Sequence, residues 1–405
     1  MIHQPPAGAR DLLPLEVAQK IWIEERLQER FTRWGYHRII TSTLERLDTL
    51  MAGGAIQRST VIQLQESDEE VLGLRPELTA SIARATVTRM TGSSWWPQRL
   101  YYNANVFRKG EETGHGTQQE FYQAGVELLG SGGWAADGEI LLLLSECLQS
   151  VGVKGCHLIL GEAQLTARLL DPFPPQVREK VRHSIAHLDR ITLEKLSLSQ
   201  ELRDRALLLF DLRGTPEQVL PKVSKLDLDI PQQEALNDLK SLLELLQESG
   251  FPFPIHLDLS LIQTFDYYTG IVFEVVSDTD STRVLGQGGR YDQLLGIYDL
   301  QGNNYPGIGF SLNIEDVHHV LLAQDQLFYE TPPSDWLVIP QTPQAYQAAF
   351  AFAQNLRASR ELVRVEVDLE KRDSPDSVRE YARSRRISQI AWINADTSPT
   401  LETVN

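Results

Sequence analysis

The sequence predicts an α+β fold in which a helical insertion interrupts a larger domain and a small α/β domain follows. Hydrophobic residues make up 42% and charged residues 23% of the 405 residues, which is typical of a globular protein with two or three domains. Strand-like and helix-like runs share the first part, and helix-forming residues dominate its interruption. We therefore expect a main domain over residues 1–325, an insertion over 172–252 and a last domain over 334–405.

The main domain begins with an amphipathic helix. Apolar residues recur at three- and four-residue steps from Leu15 to Trp34, and Gly35 ends the helix. A β-rich run follows from Tyr36 to Thr43. The other predicted elements are strands at Leu100 to Phe107, Glu120 to Leu129, Ile255 to Leu259, Ile271 to Val276, Arg283 to Gly286 and Ile308 to Leu312, and a buried helix at Asp137 to Val151.

Composition changes near Pro172, and the region from Pro175 to Gly250 is rich in Leu, Glu, Lys, Arg and Gln. Prolines punctuate it, which predicts three to five helices. After Pro332-Pro333, strands alternate with helices, so we expect a small parallel α/β domain. Its predicted elements are Trp336 to Ile339, Gln344 to Arg357, Leu362 to Leu369, a helix from Ser374-Pro375 to Arg386, and a last strand at Ser388 to Ile393.

Charge and cysteine content exclude several classes of function. A net charge of −17 argues against broad nonspecific binding of nucleic acid, because phosphate neutralisation needs clustered cations. Cys147 and Cys156 lack the spacing of a zinc site or a disulfide framework, so we expect buried thiols and no metal. With no membrane-length apolar run and no secretory core, the chain is expected to be cytoplasmic.

Two short patterns could carry a binding site. Arg75 to Ala80 is typical of a helix start, although Glu77 and Thr79 could also hold a ligand ammonium group. Gln123 and Glu127 share one face of a predicted strand, which is either a solvated surface or a pocket wall.

The glycines from Gly286 to Gly289 lack the spacing of a dinucleotide loop. We interpret them instead as a tight turn between a strand and a helix, where glycine backbones are favoured.

Six ordered segments resemble class II aminoacyl-tRNA synthetases of the histidyl type over essentially the first 320 residues. This resemblance implies a class II synthetase-like antiparallel sheet flanked by helices, and a dimer formed through the first helix and the strand at Gly35 to Thr43. The segments are Gly8 to Pro14, Arg75 to Ala80, Phe107-Arg108 with Glu120 to Glu127, Asp266 to Glu274, Gly288 to Asp292, and Gly307 to Glu315.

The resemblance also implies a histidine-binding site. The α-amino group would contact Glu77, Thr79 and Gln123, and the imidazole would contact Glu127 and Tyr268. Tyr267 and the Gly288-Gly289 turn would line the pocket. Arg108 corresponds to the arginine of motif 2, the second conserved segment of these synthetases.

Three positions depart from the pattern of an active synthetase. Gln263 stands where the family has a catalytic arginine, Asp316 replaces the arginine of motif 3, the third conserved segment, and Thr117 lies where the motif 2 loop should supply another. Activation of an amino acid by ATP accumulates negative charge, and loss of one such donor costs roughly 2.7–4 kcal/mol. The sequence thus indicates a histidine site without catalytic residues.

This combination resembles the regulatory subunits of ATP phosphoribosyltransferase. That resemblance implies a non-catalytic protein that assembles as a homodimer with a short-form catalytic subunit in a hetero-oligomer, supports the first step of histidine biosynthesis and mediates feedback inhibition by histidine. It implies no cofactor. Residues 334–405 resemble a shortened anticodon-binding domain, but their arginines are expected to form a solvated face rather than an RNA surface.

Two alternatives are kept. One is a histidyl-tRNA synthetase with an altered active site, and the other is a synthetase-like scaffold for a different partner.

Overall fold

The computed structural model describes residues 3–54, 56–65, 71–90, 96–109, 118–259, 268–279, 283–370, 372, 374–395 and 398–404. The chain forms two compact units, residues 1–327 and residues 328–405.

Helices of the first unit cover the sheet and fill the insertion. They are α1 (Pro14–Arg33), α2 (Leu47–Met51), α3 (Thr79–Arg89), α4 (Trp134–Ser150), α5 (Ala163–Leu169), α6 (Pro175–Ala186), α7 (Arg190–Lys195), α8 (Gln200–Phe210), α9 (Pro216–Val223), α10 (Ile230–Glu248), α11 (Leu294–Tyr298) and α12 (Ile314–Ala323).

Strands of the first unit form one large sheet and one small sheet. They are β1 (His37–Arg38), β2 (Leu44–Arg46), β3 (Gln63–Gln65), β4 (Val71–Leu74), β5 (Gln98–Phe107), β6 (Glu120–Leu129), β7 (Cys156–Glu162), β8 (Arg213–Gly214), β9 (Ile255–Asp258), β10 (Ile271–Ser277), β11 (Val284–Arg290) and β12 (Gly307–Asn313).

The large sheet has nine strands in the order β1-β5-β6-β12-β11-β10-β7-β9-β8. Its central pairs, from β5 to β7, are all antiparallel. Parallel pairing occurs toward the edges, between β1 and β5 and between β7 and β9. The small sheet has the order β2-β4-β3. The antiparallel sheet flanked by helices that the sequence predicts is therefore present at the centre.

The main core lies between the large sheet and the helices that pack on it. Ile23, Leu27 and Phe31 point from α1 into this core, and each is at most 1% exposed. Their four-residue spacing places them on one side of the helix, as the sequence pattern predicts. Helix α4 contributes apolar residues from most of its sides, because it lies between α1, β12 and the insertion helix α10.

The glycines of β11 correct one expectation. Gly286 to Gly289 do not form a strand-to-helix turn; they lie within β11, between β10 and β12. A Cβ on Gly288 would overlap the carbonyl oxygen of Gly309 and lie 2.6 Å from the Phe273 ring. Absence of a side chain lets neighbouring strands approach closely here, which is a packing requirement and not a turn requirement.

Two predicted strands are shorter than their apolar runs suggest. Only His37–Arg38 of the Tyr36 to Thr43 run, and only Val365–Val367 of the Leu362 to Leu369 run, pair in a sheet. Both are the outermost strands of their sheets, so each has a neighbour on one side.

The described elements of the second unit are β13 (Trp336–Pro340), α13 (Tyr346–Arg357), β14 (Val365–Val367), α14 (Pro375–Ser384), β15 (Gln389–Ile393) and β16 (Thr400–Thr403). The four strands form a sheet in the order β14-β13-β15-β16. Strands β13, β14 and β15 are parallel, but β16 is antiparallel to β15. The expectation that Ser388 to Ile393 is the last strand is therefore wrong.

Ser374 caps helix α14, and Pro375 occupies its first turn, as the Ser-Pro pair predicts. Within the described part of the chain, no helix combines the length and hydropathy needed to cross a membrane.

We expect Gly288→Ala to lower the free energy of unfolding by about 1–3 kcal/mol, because the added methyl group forces β11 away from β12. Denaturant unfolding monitored by circular dichroism measures this change. Gln287→Ala, at the neighbouring position of β11, is the matched control and should change stability by less than about 0.5 kcal/mol. Equal effects of the two substitutions would contradict the packing argument.

Candidate functional site

A small, largely buried pocket opens at the middle of the large sheet, where β6, β11 and β12 meet the N-terminus of α3. Its cavity volume is about 30 Å³. The pocket brings together six of the predicted site residues and adds two buried tyrosines. Its polar lining includes Glu77, Thr79, Tyr102, Arg108, Gln123, Glu127, Tyr268 and Tyr291.

Glu77 has a structural role as well as a place in the pocket. Its carboxylate accepts hydrogen bonds from the backbone N–H groups of Thr79 at 2.5 Å and Ala80 at 2.9 Å. It therefore stabilises the start of α3, where unpaired N–H groups favour an anion. Burial raises the pKa of Glu77, and these hydrogen bonds oppose that shift. Glu77 therefore stabilises a helix start and also lines the pocket, so the two interpretations of the Arg75 to Ala80 segment do not exclude each other.

Glu127 is the most enclosed carboxyl group of the pocket, with 2% of its surface exposed. Thr79 Oγ1 donates a hydrogen bond to it at 2.7 Å, and the hydroxyl of Tyr291 donates another. Burial raises the pKa of Glu127 to about 8, although the two hydroxyl donors oppose this. A carboxyl group with this pKa is largely protonated at neutral pH.

Gln123 and Glu127 are four residues apart on β6, so their side chains lie on the same face of the strand. Both line the pocket. Gln123 is 6% exposed, which excludes the solvated-face interpretation. Tyr102 of β5 also lines the pocket and is 2% exposed. Gly125 makes room for it, since a Cβ there would lie 2.6 Å from the Tyr102 hydroxyl.

Tyr102 and Tyr291 were missed from the sequence. Tyr291 belongs to one of the six matching segments, so its position was available as a signal. Tyr102 follows Tyr101 in a strand that mixes apolar, aromatic and polar residues, and no motif separates it from an ordinary core tyrosine.

Tyr268 lines the same pocket and precedes β10. Its ring packs on the backbone of β11, because a Cβ on Gly289 would lie 2.7 Å from the ring. Gln263 and Tyr267, which belong to the same sequence segment, lie outside the described residues, as does Thr117.

Arg108 stands between the pocket and a second, larger cavity, and it lines both. Its Nε donates to the Pro76 carbonyl oxygen at 3.1 Å. Burial lowers the pKa of Arg108, and the nearby Glu77 opposes this shift. Because an arginine pKa starts far above neutrality, the guanidinium keeps its charge.

The second cavity, of about 410 Å³, shares Arg108, Gln123, Gln287 and Ser311 with the pocket. Asp316 lines it, as expected for a residue that replaces a family arginine. However, Asp316 does not present an isolated negative charge. Arg283 Nη1 lies 2.7 Å from its carboxylate, and both side chains are about three-quarters buried. Sequence reasoning missed Arg283.

The polar groups of this pocket are suited to hydrogen bonding with a small polar molecule. Carboxyl, hydroxyl and amide oxygens of the pocket accept hydrogen bonds from an ammonium group, and Glu127 with a phenol can contact a polar ring. Over the described ranges, no group of three or more His, Cys, Asp or Glu side chains is arranged to hold a metal ion.

Comparison with known proteins agrees with the fold. A sequence profile of histidyl-tRNA synthetase matches residues 8–317. A structure from Bacillus halodurans described as an ATP phosphoribosyltransferase regulatory subunit/histidyl-tRNA synthetase is 26% identical, with a TM-score of 0.82 over 97% of this chain and 98% of that one. A histidyl-tRNA synthetase from a Nostoc species, 19% identical with a TM-score of 0.79 over 99% of this chain and 94% of its own, supports the fold. The fold and site thus define a protein of the histidyl-tRNA synthetase-like class.

Sequence relatives define the family within that class. A protein of Trichormus variabilis named ATP phosphoribosyltransferase regulatory subunit is 66% identical over 100% of both chains. One of Nostoc punctiforme with the same name is 63% identical, also over 100% of both. This chain belongs to the ATP phosphoribosyltransferase regulatory subunit family, which confirms the resemblance found in the sequence.

We expect the stability of the protein to fall as pH rises from about 5 to about 9, in part because of Glu127. Its folded pKa of about 8 lies above the ordinary value of 4.5, so the folded state binds more protons than the unfolded state across this window. The Glu127→Gln variant should lose the contribution of Glu127 to this pH dependence, which is no more than about 5 kcal/mol in the free energy of unfolding. Denaturant unfolding over the pH range measures it. Glu25→Gln, on the exposed side of α1, should keep the original slope.

Proposed function

We propose that this chain is the non-catalytic regulatory subunit of an ATP phosphoribosyltransferase. It assembles with a short-form catalytic chain and is required for that enzyme's reaction, the first step of histidine biosynthesis. Support comes from full-length identity of 66% and 63% to proteins with the regulatory-subunit name. The proposed location is the cytoplasm, where this biosynthetic reaction would take place, with no membrane and no nucleic acid as partner.

The proposed effector is histidine, bound in the small pocket and in the adjoining part of the second cavity, because about 30 Å³ alone holds no more than a water molecule. The observation that carries this proposal is the convergence of Glu77, Thr79, Gln123, Glu127 and Tyr268 on one buried cavity. The first three would accept hydrogen bonds from the α-ammonium group, and the last two would contact the imidazole ring. Arg108, at the mouth toward the second cavity, is placed to attract the carboxylate. We include Tyr267 in this site on the sequence resemblance alone.

Histidine binding would occur here without activation by ATP. A polyphosphate needs an excess of fixed positive charge, as does the transition state of adenylate formation. The charge of Arg283 is matched by Asp316 at 2.7 Å, which leaves Arg108 as the unmatched guanidinium among the described residues of the second cavity. The neutral residues Gln263 and Thr117 replace further family arginines.

Feedback control would then follow from linkage. If histidine binds one quaternary state of the complex more tightly than another, binding shifts the population toward that state. A tenfold difference in affinity corresponds to about 1.4 kcal/mol, which lies within the usual range of allosteric coupling.

We also propose a homodimer within this complex, formed through α1 and the segment from Gly35 to Thr43. Ile21 is 46% exposed and Ile40 is 80% exposed in the single chain. A second subunit that covered these side chains would remove apolar surface from water, which favours association.

The second unit is proposed to be a shortened form of the anticodon-binding domain that lacks an RNA role. Arg372 and Arg385 both lie over the ring of Tyr381, but two other arginines of the unit are engaged by acids. Arg386 lies 2.6 Å from Glu330, and Arg379 pairs with Asp376 and Glu402.

We expect the chain, coexpressed with a short-form ATP phosphoribosyltransferase, to copurify with it and to restore its activity. Histidine should inhibit the complex, and the chain alone should give no histidine-dependent exchange of pyrophosphate into ATP. Pull-down with activity assays measures the first two points, and labelled pyrophosphate measures the third. Positive exchange would favour an altered histidyl-tRNA synthetase, and copurification with an unrelated protein alone would favour the scaffold alternative.

We expect histidine affinity to be highest between about pH 6.5 and pH 8. In this window free imidazole is neutral and Glu127 carries a proton, so the complex forms with no net proton exchange. Below this window, the imidazole must release a proton when histidine binds. Above it, Glu127 must take up a proton when histidine binds. Calorimetry in buffers of different ionisation enthalpy measures the affinity and the proton exchange on the acidic and the alkaline limb of this pH profile. Glu127→Gln should lose the alkaline limb, and an unchanged alkaline limb in that variant would contradict the assignment.

A further inference from the structure

The buried guanidinium of Arg290 lies behind the pocket and joins β11 to helix α4. Arg290 is 5% exposed. Its Nε donates to Asp137 Oδ1 at 2.9 Å, Nη1 to Asp292 Oδ1 at 3.2 Å, and Nη2 to the Gly133 carbonyl oxygen at 3.0 Å. Every nitrogen of the planar fork has an acceptor, so the side chain is held in one orientation.

The same residue holds the segment that carries Tyr268. The Thr269 N–H donates to the Arg290 carbonyl oxygen at 2.8 Å, and the Asp292 N–H donates to Thr269 Oγ1 at 2.8 Å. A Cβ on Gly270 would lie 2.6 Å from Arg290 Cδ, so the arginine stem lies directly against this backbone. The position of Tyr268 in the pocket therefore depends on the position of Arg290.

On its other side, Arg290 is connected to the insertion. Asp137 lies in the first turn of α4, and the next residue, Gly138, packs so closely on Leu245 of α10 that a Cβ there would overlap the leucine. Burial raises the pKa of Asp137 to about 6, Arg290 opposes the shift, and Asp238 of α10 adds to it. Asp137 thus interacts with both the pocket side and the insertion side.

We propose that Arg290 is a positioning residue and that its ion pair with Asp137 couples the histidine pocket to helix α10 of the insertion. A displacement of Tyr268 by ligand moves a guanidinium whose three nitrogens all have acceptors, which in turn moves α4 and the close contact of α4 with α10. By reciprocity, a catalytic subunit that contacts the insertion changes histidine affinity through the same pair. This inference rests on the proposed function, because it takes histidine as the ligand.

Hydrogen exchange on the unmodified full-length chain tests the coupling without any substitution. With saturating L-histidine, amide exchange should slow in α4 and α10 and remain unchanged in α13 of the second unit, which is the internal control. Calorimetry on the same sample separates the possible failures. Absence of histidine binding would overturn the proposed effector site itself. Binding with unchanged exchange in α10 would overturn the coupling alone.

Substitutions test whether one ion pair carries the effect. Arg290→Lys keeps the charge but loses the fork, and Asp137→Asn keeps the shape but loses the charge. Each should weaken histidine binding about tenfold, within the range usual for coupled sites. Because both remove the same interaction, the double variant should also be about tenfold weaker, not about a hundredfold.

The matched control is Arg379→Lys, which alters an ion pair with Glu402 in the second unit and should leave histidine affinity unchanged. Additive losses in the double variant would contradict a shared pathway. So would tenfold weakening in Arg379→Lys. If Arg290→Lys or Asp137→Asn fails to fold, the exchange experiment on the unmodified chain decides the question.

Discussion

The carboxyl group of Glu127 lies at the centre of the large sheet, and the geometry of the pocket depends on burying it. A buried carboxyl group without hydrogen-bond donors costs about 1–3 kcal/mol or more. Thr79 and Tyr291 supply these donors, which ties the start of α3 and the end of β11 to β6. Gly309, opposite Glu127 in the register, has no side chain to overlap the carboxyl group. Four separate elements are thus constrained by one group.

The pocket and the cavity beside it have different electrostatics, although they share walls. In the pocket, a raised pKa lets Glu127 exchange a proton near neutral pH. In the larger cavity, the Arg283–Asp316 pair cancels charge that a polyphosphate would require. The proposed function thus keeps the recognition of a small molecule and loses the activation chemistry on a fold related to that of an amino-acid-activating enzyme, since function resides in the site and not in the fold.

Elements with strong periodicity were predicted well. Glu120 to Leu129 matches β6 in both of its bounds, and the helix predicted from Leu15 to Trp34 differs from α1 by one residue at each end. Errors occurred where composition has two physical explanations. Glycine at positions 286, 288 and 289 serves close packing between strands, and spacing along the chain does not distinguish this from a turn. The strand β16 lies beyond the last strand that the sequence predicted, and it pairs antiparallel where a parallel sheet was expected.

The sequence by itself determined the family and the class II synthetase-like fold, and it predicted the pocket residues Glu77, Thr79, Gln123, Glu127 and Tyr268, because ordered motifs preserve residue type and spacing. Tertiary structure alone decided which partners these residues have. Glu127 meets Tyr291 across 164 positions, Arg283 meets Asp316 across 33, and Arg290 meets Asp137 across 153. Local periodicity carries no information about contacts at such separations, because they arise only when strands and helices pack.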